Sequence, residues 1–218
     1  MATHYRLHPE TPQARKVQSI AEALRQGAIA LYPTDTVYAI GCDLNHRGAV
    51  QRVRQIKQIS NDKPLTFLCS SLSNITDYAI VNDSAYRIIR RLIPGPFTFL
   101  LPATKLVPKL VMDPKRRTTG IRVPNSPICL DLIEALGHPI ISTSALSVVP
   151  HPTTKPRLID KAEVFDALEK LVDIMIEDDE PMTYDVSTII DVIGDEPTIL
   201  RQGQGWEAAL DWGAQMSE

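Results

Sequence analysis

The chain alternates between segments of helical periodicity and short apolar runs, and this alternation constrains the fold more than any other feature. Residues 11–27 carry the signals of one helix: Thr11 as N-cap, Pro12 in the first turn, apolar side chains at helical spacing and Gly27 as the C-terminal stop. Residues 28–32 are apolar and too short for an amphipathic helix, which indicates a buried strand. The chain therefore opens with a helix that leads directly into a strand.

The same alternation continues to the last fifth of the chain. Helices are predicted near residues 48–58, 84–93 and 127–136, the last with Ser126 before it and Gly137 after it. Strands are predicted at residues 65–69, 97–101, 120–123, 139–142, 172–176, 186–192 and 198–200. This pattern favours one α/β domain over residues 1–218, with helices on the faces of a twisted, open, mixed sheet and a tail at 204–218. The close spacing of the last strands predicts antiparallel pairing there.

Composition narrows the class of protein. A chain of 218 residues with 44% hydrophobic composition is large enough to bury a full core. Its three cysteines are far apart, which argues against a disulfide framework or a zinc knuckle. No stretch reads as a signal peptide or a membrane span, so we expect a soluble, cytoplasmic protein. With a net charge of −3, the chain lacks the overall basic charge that is typical of nucleic-acid-binding proteins.

Polar residues interrupt the ends of several predicted strands. The segment 33–38 (PTDTVY) places hydroxyls and a carboxylate between two apolar runs, and it suits a turn as well as a site. Arg122 lies in an otherwise apolar strand, so its guanidinium must pair with a protein carboxylate or with a ligand carboxylate or phosphate. Residues 141–145, 186–191 and 199–203 carry hydroxyls or an arginine near the ends of apolar runs. Together with Arg122, these three segments would form an anion pocket.

One stretch is locally basic, and several common motifs are absent. Residues 105–122 hold six lysines and arginines, namely Lys105, Lys109, Lys115, Arg116, Arg117 and Arg122, against the single acid Asp113. A run of this kind is either a solvated surface or a contact for nucleic acid. The sequence has no phosphate-binding P-loop, no dinucleotide-binding glycine motif, no nucleophile elbow and no paired-histidine metal motif.

The ordered set of short motifs resembles the YrdC family of threonylcarbamoyl-AMP synthases, and above all its YciO-like branch. The resemblance extends from about residue 11 to residue 203 and depends on the combination, because each motif alone is weak. The motifs are PTDTVY at 33–38, Lys57, PL at 64–65, PGPFT at 94–98, RVP at 122–124, TSA at 143–145, STIID at 187–191 and LRQG at 200–203.

The resemblance implies a fold, a reaction and a set of contacts. The fold would be a twisted α/β sheet around a basic cavity. There, threonine, bicarbonate and ATP with Mg²⁺ would give threonylcarbamoyl-AMP and pyrophosphate for tRNA modification. No metal site of the protein's own is implied. The implied threonine contacts are Thr36, Arg122, Ser144 and Ser187, and the implied nucleotide contacts are Lys57, Lys63, Thr118 and Arg201, with Lys57 as the candidate catalytic residue.

Three positions depart from the pattern of that family. Its Lys-x-Arg-Pro stretch corresponds to residues 57–60, where Ile59 replaces the arginine, and its Ser-x-Asn ends here in Leu146. Leu68 stands where the family often has a histidine. Two alternatives stay open: a protein of this fold that binds tRNA or double-stranded RNA, and an enzyme that acts on the threonylcarbamoyl group already present on tRNA.

Overall fold

The computed structural model describes residues 1–58, 65–148 and 160–217. The strands are β1 (Thr3–Arg6), β2 (Ile29–Tyr32), β3 (Ala39–Asp43), β4 (Thr66–Leu68), β5 (Phe97–Pro102), β6 (Thr118–Arg122), β7 (Ile140–Ser144), β8 (Ile174–Glu177), β9 (Thr188–Asp191), β10 (Thr198–Arg201) and β11 (Gln215–Met216). The helices are α1 (Ala14–Arg25), α2 (Arg47–Lys57), α3 (Leu72–Tyr78), α4 (Asp83–Leu92), α5 (Pro127–Leu136), α6 (Lys161–Leu168) and α7 (Trp206–Asp211), with a 3-10 turn at Leu146–Val148.

The eleven strands of the described chain form one mixed sheet in the order β1-β8-β2-β3-β7-β4-β6-β5-β9-β10-β11. The sheet contains parallel pairs, such as β4 with β6 and β5 with β9, and antiparallel pairs, such as β3 with β7 and β5 with β6. The pairing of β9 with β10 is antiparallel, as the short spacing of the late strands predicts. The predicted α/β class with an open mixed sheet is therefore confirmed.

Local signals in the sequence explain most helix boundaries. α5 begins after Ser126, whose hydroxyl accepts from the Cys129 N–H, and it ends at Gly137 in a left-handed conformation with a φ of 86°. α1 is confirmed, but its predicted start is wrong, because the helix begins at Ala14 with Gln13 at the N-cap. The Thr11 hydroxyl lies 3.1 Å from the His8 ring nitrogen instead of capping the helix.

The helices cover the two faces of the sheet unequally. On one face, apolar residues from most of the strands pack against α2, α3, α4, α6 and α7 in a single large cluster. On the other face, a smaller cluster joins α1 and α5 to β2, β3 and β8, with Ile140 and Leu68 at its border. This second cluster contains no residue of β5, β6 or β9, so that part of the sheet has a face without an apolar cover among the described residues.

Several elements of the structure are not anticipated by the sequence pattern. These are β1, β3, α3, α6 and β11, which are short or have an apolar pattern without clear boundaries. Residues 204–217, predicted as a tail, hold α7 and β11, and β11 pairs in parallel with β10. None of the helices in the described ranges is both long and apolar enough to cross a lipid bilayer.

Candidate functional site

A cavity of about 510 Å³ lies on the sheet beside the smaller apolar cluster, whose Ala39 and Leu68 border it. We call it the central cavity. Strands β3 to β7, β9 and β10, the segment between β2 and β3, and the end of α2 contribute to it. Its described lining is Thr34, Thr36, Val37, Ala39, Lys57, Thr66, Leu68, Thr98, Arg122, Ser142, Thr143, Ser144, Leu146, Val186, Ser187, Ile189 and Arg201.

The alternation of side chains along the strands explains why this surface is polar. Successive residues of a strand point to opposite faces, so Phe67 and Ile121 enter the large apolar cluster while their neighbours face the cavity. On the cavity side, Thr66 of β4 stands opposite Ser142 of β7 and Gly120 of β6. Hydroxyl-bearing residues, among them Thr66 and Ser142, therefore line this side of the sheet, where an apolar core would otherwise continue.

Arg122, at the end of β6, is nearly buried and is held by the segment between β2 and β3. Its Nη1 donates to the Thr36 hydroxyl at 2.8 Å, and its Nη2 donates to Asp35 Oδ1 at 2.5 Å. The Thr34 hydroxyl donates to the Val37 carbonyl, so the Thr36 hydroxyl is left to donate to Thr34. Of the two pairings that the sequence allowed for Arg122, the structure shows the one with a protein carboxylate, and the arginine also lines the cavity.

Lys57, in the last turn of α2, extends into the cavity from another side. Its Nζ donates to the Ser144 carbonyl at the end of β7 over 2.8 Å. Partial burial lowers the pKa of the Lys57 ammonium, because leaving water disfavours the charged form. The α2 helix ends directly after this residue, since Gln58 adopts the left-handed conformation with a φ of 51°.

Arg201, at the end of β10, supplies a third cation. It donates to the Ser187 carbonyl from Nε at 3.0 Å and from Nη2 at 2.7 Å, and Nη2 also lies 3.0 Å from the Ser187 hydroxyl. That hydroxyl lies 2.9 Å from the Thr98 hydroxyl. Burial lowers the pKa of Arg201, and the positive charge of Arg122 lowers it further. The two guanidiniums are therefore close enough to repel each other.

The electrostatics of the central cavity favour an anion. Its described lining contains Lys57, Arg122 and Arg201 but no carboxylate. Asp35 offsets the charge of Arg122 from behind and does not line the cavity. A negatively charged group between these cations would relieve the repulsion and replace the water that the cations lose on burial.

The structure brings together most of the residues that the motifs singled out. Six of the implied contacts line the central cavity: Thr36, Lys57, Arg122, Ser144, Ser187 and Arg201. Thr118 is buried at the start of β6 and is not among the described lining residues. Lys63 and Ile59 lie outside the described residues. Leu68 and Leu146, which depart from the family pattern, both line the cavity.

Sequence reasoning missed several polar residues of the same cavity. Thr34, Thr98 and Ser142 line it from segments 33–38, 94–98 and 141–145, which the sequence marks as candidates without assigning these hydroxyls a contact, and Thr66 lies outside those segments. Each lies in or next to an apolar run, and a single hydroxyl there is also compatible with a satisfied core position. Residues two positions apart in a strand face the same side of a sheet. Aligning the predicted strands would therefore have placed these hydroxyls on the same side as Arg122 and Ser144.

The exposed cations of the basic stretch do not belong to the described lining of the central cavity. Lys105, Lys109, Lys115, Arg116 and Arg117 are exposed in the connection between β5 and β6, and Arg116 lies 3.7 Å from Asp191. Within the described ranges, no group of three or more histidine, cysteine or acidic side chains could hold a metal ion.

Comparison with known sequences identifies the family. The model of the Sua5/YciO/YrdC family, described as telomere recombination, matches residues 22–203. An uncharacterized protein of Haemophilus influenzae is 40% identical over 205 residues, which are 94% of this chain and 97% of that protein. A putative threonylcarbamoyl-AMP synthase of Methanocaldococcus jannaschii is 32% identical over 195 residues, which are 89% of this chain and 88% of that protein.

Solved structures of similar sequence share the fold. The crystal structure of YciO from E. coli is 36% identical, covers 94% of this chain and 97% of its own, and superposes with a TM-score of 0.84. The P. abyssi Sua5 structure complexed with L-threonine is 26% identical, with a TM-score of 0.80, and covers 99% of this chain and 62% of its own. The resemblance seen in the short motifs is thereby confirmed.

Proposed function

This chain belongs to the Sua5/YciO/YrdC family, and from that premise we propose that its central cavity binds L-threonine and ATP and forms threonylcarbamoyl-AMP. One observation carries the proposal: three cations from separate elements enclose a cavity whose described lining has no carboxylate. The reaction brings together a carboxylate, a bicarbonate and a triphosphate, which are all anions. Relatives named threonylcarbamoyl-AMP synthases, and a relative complexed with L-threonine, support the choice of substrates.

The two arginines would divide the substrates between them. Arg122, with the Thr36 hydroxyl on its Nη1, offers a planar fork that suits the carboxylate of threonine. Ser187 and Ser144 offer hydroxyls to the rest of the amino acid. Arg201 and Lys57 would contact the phosphates, together with Lys63 and Thr118 as the family resemblance implies. Arg201 is exposed, which suits contact with a triphosphate that enters from solvent.

The chemistry needs positioning and charge more than a protein nucleophile. The threonine nitrogen attacks the carbon of bicarbonate, and water leaves, which gives a carbamate. A carbamate oxygen then attacks the α-phosphorus, the bond to the β-phosphate breaks, and pyrophosphate departs. Cations fixed beside the phosphates stabilise the negative charge that develops in this step. Lys57 is the candidate for that role, since the Ser144 carbonyl fixes its ammonium in the cavity.

Magnesium fits this site only as the counter-ion of ATP. Mg²⁺ prefers oxygen ligands and usually binds one or two carboxylates together with substrate phosphates. The described lining of the central cavity offers it hydroxyls and cations but no carboxylate. We therefore assign it no protein ligand and no step.

The test is pyrophosphate release from ATP by the purified protein. We expect release only when threonine and bicarbonate are both present, and we expect Arg122→Ala to abolish it. Release without threonine, or none at all, would contradict synthase activity. The matched variant is Ile59→Arg with Leu146→Asn, which restores the family's arginine and asparagine. If only this double variant makes threonylcarbamoyl-AMP, the natural cavity serves another reaction.

A second candidate follows from Leu146. An apolar side chain lines the cavity where the family pattern has an asparagine, so one hydrogen-bonding group is missing from the site. Losing a donor aimed at transition-state charge lowers a rate by about two to three orders of magnitude. Binding without synthesis would suit an enzyme that acts on the threonylcarbamoyl group of modified tRNA. Unchanged modified tRNA after long incubation with the protein would exclude it.

The exposed basic connection between β5 and β6 supports RNA binding as a third candidate. Lys115 and Arg116 have exposed side chains in this connection, and among the described residues the only ion pair that these two side chains form is that of Arg116 with Asp191. Contacts with phosphates make binding fall steeply as salt rises. We expect Lys115→Ala with Arg116→Ala to weaken tRNA binding and reduce its salt dependence. Absence of binding at low salt would contradict this function.

A further inference from the structure

Two buried polar atoms of one ion pair lack a hydrogen-bond partner. Among the described residues, only Asp35 Oδ2, Arg122 Nε and Thr119 Oγ1 are buried side-chain polar atoms without a partner. The first two belong to the same salt bridge, beside the central cavity. Buried polar groups in native proteins are nearly all paired, so an exception concentrated in one pair requires an explanation.

The geometry of the pair provides one. Asp35 binds Arg122 through a single contact, from Nη2 to Oδ1, while Nη1 is turned to Thr36. A guanidinium and a carboxylate can instead pair through two parallel hydrogen bonds. If Nη2 stays on Oδ1 and Nε turns to Oδ2, both unpartnered atoms are satisfied. The edge formed by Nη1 and Nη2 then becomes available to a second carboxylate.

The guanidinium is the part of this arrangement that can turn. The segment that carries Asp35 is fixed by its own hydrogen bonds, from the Thr34 hydroxyl to the Val37 carbonyl and from the Thr36 N–H to the Thr34 hydroxyl. The Pro33 carbonyl also accepts from Cys129 Sγ in α5. Asp35 itself faces a neighbouring pocket on the other side of this segment and does not line the central cavity. It therefore acts on a ligand only through Arg122.

We propose that Asp35 is a positioning residue, which grips Arg122 by its Nε–Nη2 edge when a ligand binds and presents the Nη1–Nη2 edge to the carboxylate of L-threonine. The inference rests on the proposed function, because it needs an amino-acid carboxylate at Arg122. It assigns Asp35 no contact with substrate and no proton transfer.

Calorimetric titration with L-threonine tests the proposal. Asp35→Asn keeps one acceptor oxygen but replaces the other with an NH2 donor, so it cannot form two parallel hydrogen bonds with Nη2 and Nε, and we expect threonine affinity to fall about tenfold. Asp35→Ala removes both acceptors and should lower the affinity by about ten- to a hundredfold. The matched control is Glu10→Gln, which removes an exposed carboxylate from the same neighbouring pocket without contacting Arg122 and should leave the affinity within about twofold.

Two results of this titration would overturn the proposal. If Asp35 merely competes with the ligand for Arg122, the Asn and Ala variants bind threonine more tightly, and the proposal is overturned. Unchanged affinity overturns it as well. If the wild-type protein itself does not bind threonine, the proposed function fails and takes this inference with it, whereas normal wild-type binding with unaffected variants overturns the role of Asp35 alone.

An NMR measurement on the wild-type protein keeps the proposal testable even if a variant does not fold. The Nε–Hε signal of Arg122, assigned by its loss in Arg122→Lys, should move on threonine binding and exchange more slowly with water as Nε gains a carboxylate partner. The Asp35→Glu variant, which keeps the carboxylate, should retain part of this response. A signal that threonine binding leaves unchanged would contradict the turning of the guanidinium.

Discussion

The two halves of the sheet differ in what covers their two faces. Strands β2 and β3 are buried on both faces, between α1 and α5 on one side and α2 on the other. Strands β6, β5 and β9 have an apolar cover on one face, and residues such as Thr98 and Arg122 face the central cavity on the other. The first half is built for burial, and the second leaves a face open for a ligand.

This difference shows where stability and binding are separated in the molecule. The apolar face under α1 is filled by side chains such as Ile20 and Leu24, which are essentially inaccessible to solvent. In the open half of the sheet, hydroxyls and cations line the central cavity. Replacing them with apolar residues would remove the binding site. Changes in the covered half should therefore alter stability alone, and changes in the open half should alter ligand binding.

The largest effect is expected from Arg122→Met in the open half. This change leaves the Asp35 carboxylate nearly buried without a counter-charge, and breaking a buried ion pair in this way costs about 3–5 kcal/mol. Urea unfolding should show that loss, and calorimetry should show no threonine binding. Adding Asp35→Asn should recover much of the stability but none of the binding. Recovery of both would contradict a role of Arg122 in holding the ligand.

Ile20→Ala in α1 is the corresponding change in the covered half. Ile20 is fully buried in the smaller apolar cluster, so its truncation leaves a cavity that costs about 2–5 kcal/mol. Urea unfolding should register the loss, while threonine affinity at a temperature where the protein is folded stays unchanged. A marked drop in threonine affinity would show that stability and binding are not separated between the two halves of the sheet.

Thr98→Val tests the open half with a smaller change. The substitution keeps the shape of the side chain but removes the hydroxyl that lies 2.9 Å from the Ser187 hydroxyl. We expect about 1 kcal/mol less stability and a threonine affinity lowered about fivefold, because Ser187 loses a fixed orientation. Val186→Thr, which adds a hydroxyl to another cavity-lining position, is a comparison that should not weaken binding.

The smallest effect concerns a pH-dependent pair in the covered half, His138 with Asp43. The hydrogen bond that the His138 ring donates to the Asp43 carboxylate raises the pKa of His138 above its usual 6.5, and burial opposes this shift. Burial raises the pKa of Asp43, but contacts from His138 and the Asn45 N–H outweigh it and lower that pKa below 3.8. The pair therefore stabilises the fold fully between about pH 4 and pH 6.5, where the unfolded histidine is protonated and the unfolded aspartate ionised.

The sign of the pH effect follows from these two shifts. The contribution of His138 is lost as pH rises through its raised folded pKa, and that of Asp43 is lost as pH falls through its lowered folded pKa. His138→Gln should reduce stability by less than about 1 kcal/mol at pH 5.5 and by less still at pH 8.5. Urea unfolding at both pH values measures the difference. A larger loss at pH 8.5 would contradict the pairing.

Much of the fold is predictable from local signals in the sequence. The caps of α5, the helical spacing in α1 and the apolar runs of β2, β5 and β7 are sufficient to identify these elements. The elements that are missed lack such signals. β3 follows the turn at 33–38 without a boundary residue of its own, and β1 and β11 are short strands whose side chains are largely exposed. They become strands because a neighbouring backbone edge is available to pair with them.

The sequence by itself determined the class of fold, the helix-to-strand alternation and the family to which the chain belongs. Only the tertiary structure decided which hydroxyls line the cavity and that Arg122 is shared between Asp35 and the cavity. The physical reason is the range of the interactions. Periodicity and capping act between residues a few positions apart, whereas Asp35 and Arg122 are 87 positions apart and meet only when the sheet is assembled.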